Sequence, residues 1–318
     1  MEEARISALV EALLRERQLT ADEADTRAGQ CASAEYWTGL VPGASIGPVA
    51  PALDEHFLAP DALRAAGAQM HADGYCSVPP FLGPRTLAKV NDLIDAVVAA
   101  GWPPAFAWVF DDLWGAARAE SVGRLLDVAL GAGARQSPHL WIHIVPAVVG
   151  ARGWEPHWDG DPERRSRTRL SVWIALTEAR VDGGCIYVLP RSQTPDRFAD
   201  DQIKTRTVSG VELMRLLGAV QALPAAPGAA LAWNFDIMHW GGRCTRPGVA
   251  RRALSLEWIA DGETPTPGEE PLLPFGAALP PLPDRLEYVA RALMIYGAHD
   301  PEASRFLPVA ERLLNRPA

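Results

Sequence analysis

The spacing of apolar and polar positions changes character along the 318-residue chain. From Ile6 to Gly29, ISALVEALLRERQLTADEADTRAG, apolar residues recur at helical intervals between alternating charges, which predicts one or two helices. A Pro/Gly-rich stretch, VPGASIGPVAPAL, then separates this segment from the main body. Further on, DGYCSVPPFL predicts a short strand over Tyr75–Val78 and a proline turn. A helix follows, its apolar positions including Leu87, Val90, Leu93, Ile94 and Val97.

From about Leu140 to Ala260 the period shortens to that of strands. HLWIHIVP, RLSVWIALTEA, CIYVLP, AALAWNF and RRALSLEWIA are short β-like runs separated by turns. Asp182-Gly183-Gly184 predicts a tight hairpin between the second and third, because these residues tolerate the positive φ such turns demand. Short strands joined by turns and long loops predict a closed or double-sheet β architecture, not a parallel α/β sheet. After residue 262 a proline-rich tract precedes two helical pieces, near Asp284–Tyr296 and Pro301–Asn315. The expected organisation is a single domain over 1–318. It has an N-terminal helical extension (1–50), a core with its leading helix (about 67–262) and a C-terminal helical extension (280–318).

Composition narrows the function classes. With 48% hydrophobic and 22% charged residues the chain reads as an ordinary globular protein. A net charge of −9 argues against nucleic acid or an anionic membrane surface as the main partner. No apolar run approaches the ~20 residues that span a bilayer. The start, MEEARISALV, is acidic where a secretory signal is basic. Cys31, Cys76, Cys185 and Cys244 are scattered and read as reduced thiols, so a cytoplasmic location is expected.

The segment WEPHWDGDPE carries the first candidate chemistry. On an extended segment residues i and i+2 share a face, so His157 and Asp159 can grip one ion. The next suitable ligand is His239, in NFDIMHWGG at the end of an apolar run. Two imidazoles and a carboxylate on one face of an octahedral ion leave positions open, the arrangement of non-haem Fe(II) oxygenases. Taken alone, Asp159-Gly160-Asp161 is equally compatible with a simple turn.

The order of motifs adds to this. DGYCSVPPFL with its helix comes first, then His157-X-Asp159, WIALTEARVDGGCIYVLPRSQ, His239 and RRALS. This order resembles the phytanoyl-CoA dioxygenase family of Fe(II)/2-oxoglutarate oxygenases, over about residues 67–260 and most closely in the Trp173–Ser192 and His239–Ser255 blocks. The resemblance implies a mainly β fold with flanking helices: a double-stranded β-helix, or distorted cupin-like jelly roll, with helices packed on one sheet. It implies Fe(II), 2-oxoglutarate as co-substrate and O2. By position, His157, Asp159 and His239 look like the iron ligands and Arg251 like the residue that pairs with the distal carboxylate of 2-oxoglutarate. The implied reaction is hydroxylation, or another oxidation, of a C–H bond in a small organic molecule. Asp159 fills the position that related halogenases leave to a small residue. Departures fall near the expected pocket: Pro190-Arg191-Ser192-Gln193 stands for the usual Pro-Gly-Ser-His, and Trp240-Gly241-Gly242 for small polar residues.

Strand parity separates two adjacent arginines. In RRALSLEW, Arg251 shares a face with Ala253, Ser255 and Glu257, whereas Arg252 shares one with Leu254, Leu256 and Trp258. The second face suits packing under helices. The first leaves room for a co-substrate, whose carboxylate a guanidinium holds by paired hydrogen bonds. Ser255, on the Arg251 face, is a further co-substrate candidate. His143, alternating with Trp141 and Val145, either lines the same cavity or is a satisfied core histidine. Trp173 matches a family position flanking the co-substrate and fits a plain core tryptophan as well. Trp154, Trp158 and Trp240 flank the ligands and could wall a pocket. His139, His56 and His71 read as structural or exposed, and the run Glu163 to Arg169 as a solvated loop. Two other readings use parts of the same pattern. A zinc-type metallohydrolase needs the two histidines and the carboxylate; a non-catalytic jelly-roll binding module needs only the fold.

Overall fold

The computed structural model describes residues 18–159, 165–193 and 209–315. Residues 6–17 of the first expected helix, Asp161, and residues 163–164 of the basic run lie outside them. In chain order the helices are α1 (Ala21–Cys31), α2 (Ala34–Leu40), α3 (Pro60–Asp73), α4 (Pro84–Ala99), α5 (Asp111–Ala117) and α6 (Glu120–Leu130). Then come α7 (Gly210–Ala219), α8 (Leu282–Tyr296), α9 (Pro301–Ser304) and α10 (Leu307–Leu314). The strands are β1 (Tyr75–Val78), β2 (Arg135–Val145), β3 (Arg169–Ala175), β4 (Ile186–Val188) and β5 (Gln221–Leu223). They continue with β6 (Ala230–Asn234), β7 (His239–Gly241), β8 (Arg251–Ile259) and β9 (Leu273–Pro274).

The strands form two antiparallel sheets, one ordered β1-β6-β3-β8-β2-β9 and the other β5-β4-β7. Helices take 41% and strands 20% of the described residues, so the chain is mixed α/β. The expectation of a mainly β chain describes the sheets around the site and misses the helical mass beside them. Two segments from α5 through α6, and α3, were not anticipated as helices. Their apolar residues are interspersed with alanine and glycine, which blurs the period.

Each helix forms for local reasons. In α4, Pro84 occupies the first turn, where its missing N–H costs nothing, and Thr86, Val90, Leu93, Ile94 and Val97 are buried along one stripe. That stripe packs with the other helices on one face of the six-stranded sheet, against Leu170, Val172, Ile174, Leu254, Leu256 and Trp258. Residues of α1, α2, α8 and α10 join the same core, so both terminal extensions are built into it. Arg285 of α8 is wholly buried, paired with Asp111 at 2.8 Å, and donates to the carbonyls of Val109, Pro280 and Gly47. A second apolar cluster joins the other face of the large sheet (Trp173, Leu231, Trp233, Ala253) to Ile186, Val188 and Leu223 of the small one. β8 is therefore covered on both faces, as its near-continuous burial shows.

One local expectation fails instructively. Gly184 does take positive φ (+85°), and the Arg180 carbonyl accepts from the Gly183 and Cys185 N–H groups, so the turn is there. The flanking strands do not pair. β3 belongs to the large sheet and β4 to the small one, and the turn carries the chain from one layer to the other. Among the described residues no helix is long and apolar enough to cross a membrane.

Candidate metal centre

The segment before β3 lies alongside β7. The Gly150 N–H donates to the Cys244 carbonyl, the Cys244 N–H to Ala151, and the Gly241 N–H to Trp154. His157 and His239 exchange both backbone hydrogen bonds, at 3.0 and 2.9 Å. Such a pair sets the side chains side by side, and the two imidazole centroids are 4.3 Å apart. The approach depends on glycine at both contact points. A Cβ on Gly241 would fall 2.5 Å from the Gly153 Cα, and a Cβ on Gly153 would fall 2.8 Å from the Gly241 Cα.

Hydrogen bonds fix how the donors point. His157 Nδ1 donates to the Glu155 carbonyl at 2.6 Å and His239 Nδ1 to the Ile237 carbonyl at 3.2 Å. Each ring thus turns its Nε2 lone pair toward Asp159 Oδ1, at 3.7 and 3.5 Å respectively. Asp159 Oδ2 accepts from Ser171 Oγ at 2.5 Å and from Trp233 Nε1 at 2.8 Å, which holds the carboxylate with Oδ1 inward. His157 Nε2 is buried with no hydrogen-bond partner among the described residues. Burial drives the His239 imidazole down to about 4, against the opposing pull of Asp159, so it is neutral near pH 7. Burial also pushes the Asp159 carboxyl up, but His239, His157, Ser171 and Trp233 together outweigh it and hold it below the ordinary carboxylate range. Two imidazoles and an anionic carboxylate, all within 4.8 Å of one another, are a donor set that fits a divalent cation.

Arg251 closes the other end. It is 2% exposed, donates to the Gly184 carbonyl at 2.7 Å and lies 5.6 Å over the Trp173 ring. Its Nε has no partner, and no carboxylate pairs with it among the described residues. Burial draws the guanidinium down to about 10, so it stays charged at pH 7. A buried cation without a counterion is costly; an anion entering the cavity removes that cost. His143, pushed down to about 3 by burial and then by Arg251, sits in the same cavity as a neutral imidazole.

The cavity is narrow and partly open, with about 480 Å3 of empty space when its mouth to solvent is included. It brings together His157, Asp159, His239 and Arg251 with the three other candidates Trp173, His143 and Ser255. Arg252 points the opposite way, to Asp95 and Asn91 of α4. A wider vestibule adjoins the cavity, shares Trp154, His157, Asp159, Glu257 and Tyr296 with it, and adds Trp158. Trp240 is elsewhere, stacked on Tyr187 in a separate surface depression. Arg169, at the end of the run read as a solvated loop, is buried between Glu263 and Glu269. His139 is buried, hydrogen-bonded to Glu257 at 2.6 Å, whereas His56 and His71 are exposed. Sequence reasoning missed Ser171, Trp233 and Tyr296. The first two sit on the cavity-facing parity of β3 and β6, a signal that was available; Tyr296 comes from a helix distant in the chain and gave none.

Comparisons with known proteins give a family match over part of the chain and a likeness of fold. A family model described as phytanoyl-CoA dioxygenase (PhyH) matches residues 103–253, a span that contains the three clustered residues and Arg251. Among solved structures, the non-heme alpha ketoglutarate dependent epimerase SnoN from nogalamycin biosynthesis superposes with a TM-score of 0.50 at 18% identity, over 70% of this chain and 96% of that one. SnoN in complex with Fe3+, alpha ketoglutarate and nogalamycin RO gives 0.50 at 19%, over 70% and 97%. The non-heme monooxygenase ThoJ in its Ni complex gives 0.51 at 18%, over 68% and 87%. At these identities the likeness is one of fold. No curated protein matches the chain.

Proposed function

With residues 103–253 forming a phytanoyl-CoA dioxygenase (PhyH) family domain, we propose that the protein is a non-haem Fe(II)- and 2-oxoglutarate-dependent dioxygenase that oxidises a C–H bond of a small organic molecule. The two facing sheets are read as a double-stranded β-helix, and the whole chain as one catalytic domain. His157, Asp159 and His239 are the metal ligands, and Arg251 anchors the distal carboxylate of 2-oxoglutarate. A cytoplasmic location, with the four buried cysteines as free thiols, belongs to the same proposal. The observation that carries it is the pairing of three converging Lewis bases with a buried guanidinium that has no counterion among the described residues. A zinc hydrolase uses the first and leaves the second without a role.

Bound iron supplies the coupling of O2 activation to oxidative decarboxylation of 2-oxoglutarate. The chain's residues supply the rest. Glu155 and Ile237 carbonyls hold both imidazoles in the tautomer that ligates through Nε2. Ser171 and Trp233 occupy Asp159 Oδ2, fixing the carboxylate's direction. Arg251 receives the far carboxylate through a bidentate pair, and the Trp173 face limits where the co-substrate's carbon chain lies. His143, kept neutral, adds no charge that would compete with Arg251. Trp154 and Trp173 exclude water around the reacting region. With the carboxylate ligand in place, product from substrate in excess chloride carries hydroxyl, not halogen.

The test is anaerobic addition of Fe(II) and 2-oxoglutarate to the purified chain, read as the weak visible charge-transfer band of the chelate. The band is expected, and it is expected to vanish in Asp159→Ala. A chain that binds neither Fe(II) nor 2-oxoglutarate overturns the reading.

A further inference from the structure

The cavity face of β8 is electrically polarised. Arg251 stands at one end and Glu257 at the other, six residues or roughly 20 Å of strand apart. Small residues, Ala253 and Ser255, lie between them on that face. Glu257 is paired across the sheet with Ser171, the residue that donates to Asp159, so its carboxylate belongs to the metal end of the cavity. It lines both the inner cavity and the outer vestibule. Glu257 Oε2 accepts from His139 Nδ1 at 2.6 Å, and Oε1 accepts from the Tyr296 hydroxyl at 3.2 Å. Around it the wall is aromatic: Tyr296 stacks on Trp154 at 5.2 Å, and Trp141 lies 5.3 Å from Tyr296.

Resting on the dioxygenase reading above, we propose that the Glu257 end is the substrate-recognition site, and that it takes a small molecule presenting an amine or hydroxyl donor on a hydrophobic body. The physical reasons are three. A carboxylate held by its neighbours in one orientation selects donors and repels carboxylates and phosphates. Aromatic faces beside it accept an apolar ring or an ammonium group. The polarity of β8 also sorts the two ligands: a dianionic co-substrate is drawn to Arg251 and pushed from Glu257, which leaves the vestibule end for the substrate. Tyr296 and its helix α8, like Glu257, lie outside the family-matched span, whereas Trp141 and Trp154 lie within it.

The experiment uses the full-length chain loaded with diamagnetic Zn(II) and 2-oxoglutarate. Three probes of matched shape, cyclohexylamine, cyclohexanol and cyclohexanecarboxylate, are titrated and read by saturation-transfer NMR. Binding of the amine, the alcohol or both is expected, with the carboxylate at least about tenfold weaker. Amine alone marks the ligand group as ammonium; amine and alcohol together mark recognition of an N–H or O–H donor whatever its charge. Glu257→Gln should abolish that ranking, and Tyr296→Phe, which keeps the carboxylate, should preserve it, both checked for native circular dichroism. Equal or tighter binding of the carboxylate, an unchanged ranking in Glu257→Gln, or no binding by any probe overturns the proposal. Metal content and 2-oxoglutarate affinity of the same samples report separately on the oxygenase reading.

Discussion

The indole N–H of Trp233 donates to Asp159 Oδ2 across 2.8 Å, although 74 positions separate the two residues in the chain. With Ser171 on the same oxygen, it leaves Oδ1 as the atom that faces both imidazoles. Trp233→Phe keeps the ring and removes the donor. It should weaken Fe(II) binding by about 10–100-fold, the range for losing a hydrogen bond that orients a ligand, with the fold unchanged. Competition against a metal chelator measures this.

His157→Ala, Asp159→Ala and His239→Ala should each abolish stoichiometric Fe(II) binding while the circular dichroism spectrum stays native. Metal analysis of the three purified variants decides it. Unchanged iron content in any one removes that residue from the site.

Arg251→Ala should cost 2-oxoglutarate affinity on the order of 100-fold or more, because a buried charged pair loses one partner. Arg252→Ala, which breaks an ion pair whose Asp95 carboxylate is 58% exposed, should change it by only a few-fold. Calorimetric titration of the co-substrate into both variants is the measurement. The opposite ranking would place the co-substrate on the other face of the strand.

Gly241→Ala and Gly153→Ala should each destabilise the chain and loosen the metal site, since the added methyl meets backbone that has no room to yield. The expected sign is a lower melting temperature together with weaker metal affinity. A variant with wild-type values for both would show that the segment carrying His157 does not need this approach to β7.

Burial pushes the Cys76 thiol up to about 12, well above its usual value near 8.5. At pH 8 only about one molecule in ten thousand carries the thiolate at that position, so it should resist thiol reagents until the chain unfolds. The linkage follows in sign. The folded state keeps a proton that the unfolded state releases above about pH 8.5, so this site's contribution to stability is whole below that pH and falls as pH rises. Ellman titration of native and denatured protein, and melting curves from pH 8 to 10, check both.

The legible parts of this protein were those written in short-range pattern. Period-two alternation located β2, β3, β6 and β8, and the parity of RRALSLEW told the two arginines apart. His157-X-Asp159 and His239 stood out by residue type. The turn at Gly183-Gly184 was legible and its consequence was not, because the pairing partner of a strand is set by layers formed over long sequence distances. The same limit hid Tyr296, which reaches the cavity only because the buried Arg285–Asp111 pair and the apolar stripe of α8 bring that helix against β2. The Trp240-Gly241-Gly242 departure gained its meaning only in three dimensions, where Gly241 meets Gly153.

The register of the large sheet has a consequence for anyone who moves this chemistry to another scaffold. A fragment cut to the family-matched residues 103–253 would lose β1 and with it every backbone partner along one side of β6. It would also end β8 at Ala253, stripping β2 and β3 of their contacts with residues 254–259 and parting the sheet between its two halves. Bare strand margins of this kind invite pairing with other copies. The smallest portable unit is therefore not the span that looks like its relatives but that span with β1, the whole of β8 and the helices that roof them.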